Sequence, residues 1–101
     1  MKNKVKEKLD GGQQVLGTFI QSGNSMIAEC IGLTGLDYFI VDTEHSPYGL
    51  DEITECCRSA EIRGITPFVR IPEISRAQVM KALDAGAQGL IIPGIQTVEE
   101  V

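Results

Sequence analysis

Four short runs rich in β-branched and aromatic residues alternate with helix-patterned segments, and this alternation restricts the chain to few folds. The runs are Val15 to Ile20, Tyr38 to Thr43, Thr66 to Ile71 and Gly89 to Ile92. Lys2 to Leu9 reads as a short charged helix stopped by Asp10-Gly11-Gly12. Ser22 to Ser25 supplies N-cap candidates for a helix with Met26, Ile27, Cys30 and Ile31 at helical spacing, halted by Gly32 and Gly35. From Leu50 to about Glu61, Leu50, Ile53, Cys57 and Ala60 line one helical face, and Gly64 ends it. Ser75-x-x-Gln78 has the form of a capping box, with Ile74 and Val79 as its hydrophobic staple. Met80 and Leu83 continue that helix's apolar face, and Gly86 stops it. Thr97-x-x-Glu100 is a second capping box, opening a further helix.

Strands alternating with helices through short loops predict an α/β fold with a parallel sheet and right-handed crossovers. Repeated βα units with polar residues at strand ends fit a (β/α)₈ TIM barrel. A whole barrel takes about 250 residues, and the 101 residues here supply about four βα units, its N-terminal half. Residues 1–101 are therefore expected to be a partial barrel domain from a fragment or a truncated reading frame. The first and fourth strands would then have open edges, which favours self-association.

The net charge of -5 and the lack of a basic stripe argue against nucleic acid or an anionic membrane surface as partner. No apolar run approaches the roughly 20 residues of a membrane span. The basic N-terminus lacks the apolar core of a signal peptide. Cys30, Cys56 and Cys57 are an odd set with no Cys-x-x-Cys spacing, which suits small apolar residues in a reducing cytoplasm better than a disulfide framework.

Chemistry concentrates at strand ends. The run Tyr38 to Val41 breaks into Asp42, Glu44 and His45, then a Ser46-Pro47 turn. In parallel α/β folds these ends carry the active sites. His45 is the only histidine, so proton transfer by imidazole falls to it. The third strand delivers Arg70, a residue type that grips carboxylates or stabilises an oxyanion. Bland alternatives stand beside these. His45 could be a turn or core residue, and Arg70 could form a strand-end salt bridge with Asp42 or Glu44. Glu44 could support a ligand or be an exposed charge. Glu99 and Glu100 read as carboxylates at a helix start, not as metal ligands. Ser46 lacks the context of a nucleophile.

Four blocks in order, Asp42-Thr43-Glu44-His45-Ser46-Pro47, Phe68-Val69-Arg70-Ile71-Pro72, Leu83-Asp84-Ala85-Gly86-Ala87-Gln88-Gly89 and Ile92-Pro93-Gly94-Ile95-Gln96, resemble the HpcH/HpaI aldolase family. Gly17-Thr18-Phe19 and Ala28-Glu29 extend the match upstream. That family includes 4-hydroxy-2-oxoheptanedioate and 2-dehydro-3-deoxyglucarate aldolases. The resemblance implies a class II, divalent-metal-dependent aldolase that reversibly cleaves 4-hydroxy-2-oxo acids to pyruvate, or a related 2-oxo acid, and an aldehyde. It implies His45 as catalytic base, Arg70 as the group stabilising the enolate, and Asp84 as the aspartate that raises the basicity of the histidine. It also implies a homo-oligomer, typically a hexamer, acting on a small 2-oxo acid.

Spacing alone points instead to Asp42 as the partner of His45. In a simple barrel Asp84 lies at the opposite end from the strand tips, unless its helix ends early or a neighbouring subunit brings that face close; it could equally be an ordinary helix-end residue. The Mg²⁺, Mn²⁺ or Co²⁺ expected for the complete enzyme would be held by a glutamate and an aspartate on later strands, so no metal ligand is expected within this chain. The 101-residue chain by itself is expected to have little or no activity. Two alternatives remain: an acyl-CoA-thioester lyase of the malyl- or citramalyl-CoA type, and a non-catalytic piece that only self-associates.

Overall fold

A computed structural model describes residues 3–21, 24–43 and 49–100 of the chain. Four strands, β1 (Gly17–Ile20), β2 (Tyr38–Asp42), β3 (Thr66–Arg70) and β4 (Gly89–Ile91), form one parallel sheet in sequential order. Helix α1 (Lys4–Asp10) precedes the sheet; α2 (Ser25–Gly32), α3 (Leu50–Arg63) and α4 (Arg76–Asp84) are the crossovers. This is the α/β architecture that the alternating pattern predicts, with the sequential strand order of a barrel segment. Among the described residues, β1 and β4 are the sheet's edges. No described helix is long and apolar enough to cross a membrane.

Local chemistry sets the helix ends. Asn24 caps α2 by accepting the Met26 N–H at 2.8 Å. Ser75 caps α4 by accepting the Gln78 N–H at 3.4 Å, as its box predicts. At α3 the roles reverse, with Glu52 reaching back to accept the Gly49 N–H at 3.0 Å. Gly64 then closes α3 in the left-handed region, at φ 75°. The last capping box does not open an α-helix within the described residues: Val98–Glu100 is a single 3₁₀ turn.

Period-two alternation splits the sheet into two faces. Ile20, Phe39, Val41 and Val69 point toward the helices and are essentially sealed from solvent. They pack with Ala28, Ile53, Cys56, Cys57, Ala60 and Ala82 in one core cluster. Each such aliphatic or aromatic side chain contributes about 1.5–3 kcal/mol by leaving water. The helices reach this core mainly through small residues, which corrects part of the sequence reading. Met26 on α2 is 71% exposed and Leu83 on α4 is 48% exposed, so neither lies on the buried face expected of it. Leu50, Ile27 and Met80 are likewise exposed, while Ala28 and Ala82 are buried in their place. A helix that packs closely on a sheet needs a short side chain at its point of nearest approach, and periodicity alone does not identify that point.

The other face carries Phe19, Ile40 and Phe68 as register partners, above Gly17, Tyr38 and Thr66. Here the rings of Tyr38 and Phe68 lie 5.2 Å apart, tilted by 44°. Tyr38 spreads over Gly17 and Phe68 over Gly89: a Cβ on those glycines would stand 2.4 Å and 2.3 Å from the respective rings. Gly17 therefore leaves room for the Tyr38 ring.

Helix α1 closes the N-terminal end of the sheet. Asn3 donates to the Gln88 carbonyl at 3.2 Å, and Lys8 pairs with Asp37, just ahead of β2. Asp37 also accepts the Leu16 N–H at 2.9 Å.

Candidate active site

The C-terminal ends of β2 and β3 lie side by side, and register places Asp42 directly opposite Arg70. The two form a bidentate ion pair. Arg70 Nη2 donates to Asp42 Oδ2 at 2.6 Å, and Arg70 Nε donates to Oδ1 at 3.2 Å. Asp42 is completely buried, whereas the Arg70 side chain keeps 22% of its surface exposed. A buried carboxylate persists only when its lone pairs are filled. A third donor helps to fill them: Gln21 Nε2, one residue past β1, reaches Asp42 Oδ2 at 3.1 Å.

Phe19, also from β1, lies under the guanidinium, whose Cζ is 4.8 Å from the ring centroid. That is within cation–π range, an attraction of about 0.5–2 kcal/mol. Arg70 thus leaves β3, crosses β2 and comes to rest over β1. Backbone bonds lock the strand tips beneath it. Thr43 donates its N–H to the Arg70 carbonyl at 3.0 Å, and Ile71 donates to the Ile91 carbonyl at 3.1 Å.

The outcome for the residues singled out from sequence is mixed. Asp42 and Arg70 come together in the bidentate pair. Glu44 and His45, with Ser46, lie outside the described residues. Asp84 is exposed and is the last residue of α4. Because α4 runs antiparallel to the strands, Asp84 lies at the N-terminal end of the sheet, away from Arg70. The helix does not end early enough to change that. Gln21 escaped the sequence reading altogether. It is two residues beyond Phe19 and so continues the same face of β1, but only the structure shows that Asp42 lies opposite.

Among the described residues, no group of three or more His, Cys, Asp or Glu side chains is placed to hold a metal ion. Both oxygens of Asp42 are committed to Arg70. The described residues therefore do not fit a metal centre by themselves. What they offer is a fixed guanidinium over an apolar floor at the mouth of a parallel sheet, an arrangement suited to binding a carboxylate or an oxyanion.

Comparison with known proteins identifies the family and the fold. The sequence model described as HpcH/HpaI aldolase/citrate lyase matches residues 15–101. A hydroxypyruvate/pyruvate aldolase of Sagittula stellata is 36% identical over 99 residues, covering 98% of this chain and 39% of the relative. A 2-keto-3-deoxy-L-rhamnonate aldolase of Salmonella gallinarum is 31% identical, covering 99% of this chain and 38% of its own length. The crystal structure of an HpcH/HpaI aldolase from Desulfitobacterium hafniense superposes with a TM-score of 0.88 at 42% identity, over 95% of this chain and 38% of that one. The chain thus spans about two fifths of the length of the relatives it matches.

Proposed function

This chain belongs to the HpcH/HpaI aldolase/citrate lyase family, and from that premise we propose that it is the N-terminal part of a divalent-metal-dependent class II aldolase. The reaction is the reversible cleavage of a 4-hydroxy-2-oxo acid to pyruvate, or a related 2-oxo acid, and an aldehyde. The observation that carries the reading is the Arg70 guanidinium, held by fully buried Asp42 at the strand tips. A salt bridge serving only stability gains little from burying one carboxylate completely. A guanidinium with a fixed plane is what stabilises charge that develops on an oxygen during reaction.

In this scheme Arg70 donates to the oxygen that becomes negative as the carbon–carbon bond breaks. His45, three residues past Asp42, takes the proton from the substrate hydroxyl. The metal, Mg²⁺, Mn²⁺ or Co²⁺, supplies Lewis acidity when bound, and its carboxylate ligands come from later strands. Asp84 supports the histidine from a neighbouring copy of the chain, since within one copy it lies at the wrong end of the sheet. A homo-oligomer is thereby part of the proposal, and the cytoplasm is its setting.

The test is pyruvate release, followed by coupled reduction to lactate. The protein that carries this sequence is given 4-hydroxy-2-oxo acids, with and without added Mg²⁺, Mn²⁺ or Co²⁺. Metal-dependent release supports the reading. Cleavage of malyl- or citramalyl-CoA in place of the oxo acids would overturn it in favour of a thioester lyase. Turnover in neither assay would leave an assembly piece. Mixing His45→Ala and Asp84→Ala variants tests the shared site, because only a site built from two copies recovers activity on mixing.

A further inference from the structure

The acid that holds Arg70 is itself held from a third element. We propose that Gln21 is a positioning residue, which orients Arg70 by fixing the carboxylate of Asp42. The inference rests on the reading of Arg70 as the group that meets the reacting oxygen.

The two bonds between Arg70 and Asp42 define a shared plane, but both come from one partner. Such a pair can rock as a unit, because the terminal torsion of an aspartate is broad. Gln21, one residue past β1, donates to Oδ2 at 3.1 Å and restrains that motion. The same strand supports the cation through Phe19. One short segment, Phe19 to Gln21, therefore fixes both members of the pair: the ring faces the guanidinium and the amide meets the carboxylate.

The residue type matters as well. The amide donates without adding charge beside the ion pair. A glutamate at this position would set two carboxylates about 3 Å apart and compete for the guanidinium, a like-charge contact that disfavours ionisation of both. A leucine would keep the bulk and remove the donor. Gln21 is an exposed residue, so neither change opens a hole in the core.

The experiment uses the full-length enzyme carrying this sequence. Gln21→Leu is expected to lower kcat for oxo-acid cleavage about tenfold, the scale of one hydrogen bond to a charged group, with KM changed much less. Gln21→Glu is expected to lower it further. In an Asp42→Ala background, which leaves Gln21 no side-chain oxygen to hold, adding Gln21→Leu should cost less than about twofold, since residues acting through one another are not additive. A wild-type kcat for Gln21→Leu, or an undiminished tenfold loss in the Asp42→Ala background, would overturn the proposal. A second readout needs no turnover. The Nε–H resonance of Arg70 should exchange slowly with water in the wild type and markedly faster in Gln21→Leu; equal exchange counts against the proposal. If the wild type releases no pyruvate, the aldolase reading fails, and the exchange measurement still decides whether Gln21 fixes the pair.

Discussion

Asp42→Asn is the substitution whose consequences are most sharply defined. The side chain keeps its shape and loses one charge and one acceptor. In the wild type, Oδ1 accepts from Arg70 Nε, while Oδ2 accepts from both Arg70 Nη2 and Gln21 Nε2. An asparagine does best with its carbonyl in the Oδ2 position, where two donors converge. Its NH₂ then faces the Nε–H of Arg70, donor against donor. Removing one partner of a fully buried ion pair costs about 3–5 kcal/mol. Arg70 retains 22% exposure, so water recovers part of that loss, and about 2–3 kcal/mol is the expected destabilisation. Against a total stability of about 5–15 kcal/mol this is a large change. Urea unfolding followed by circular dichroism should show the midpoint falling by about 1–2 M. Oxo-acid cleavage should fall in parallel, since the guanidinium loses its fixed plane. A midpoint shift under about 0.5 M, with unchanged turnover, would refute the claim that Asp42 holds Arg70 in place.

Gly89→Ala should destabilise the chain by about 1–3 kcal/mol through overpacking, since its Cβ would lie 2.3 Å from the Phe68 ring; adding Phe68→Leu should recover much of that in the same unfolding assay. Burial pushes the thiol of Cys56 up to about 11, with help from the charges of Glu55 and Glu52, and that of Cys57 up to about 12. At pH 8 a thiol reagent should therefore modify exposed Cys30 alone in the native chain, and all three cysteines after unfolding. The hydrogen bond from Lys8, and then that from the Leu16 N–H, hold the Asp37 carboxyl below its ordinary value of 3.8. Its contribution to docking α1 is fully present above that value and is lost as pH falls through the lowered one. Amide exchange in α1 should accelerate over that acid range, and Asp37→Asn should abolish the dependence.

The strands and their order were legible because each apolar run is short, β-branched and bounded by glycine, proline or polar residues. Arg70 at a strand tip could be read from position alone. Its pairing with Asp42 could not, because that depends on the β2–β3 register, which is a tertiary property. Gln21 was missed for a related reason: an isolated glutamine after a strand has no signature until Asp42 lies opposite it. The helix faces were read too generously. Met26 and Leu83 fit the apolar periodicity, yet close packing on the sheet is made through Ala28 and Ala82. The glycines of β1 and β4 give a similar lesson, since only the placement of the Tyr38 and Phe68 rings explains why no side chain fits there.

In the proposed reaction Arg70 meets the charge that forms during bond cleavage. The most direct test is metal-supported pyruvate release by Arg70→Ala, measured against the wild type in the full-length enzyme. Loss of an oxyanion-stabilising donor typically lowers kcat by about 10²–10³, and a fall of that size, with secondary structure retained, is the predicted result. Turnover within a few-fold of wild type would contradict it.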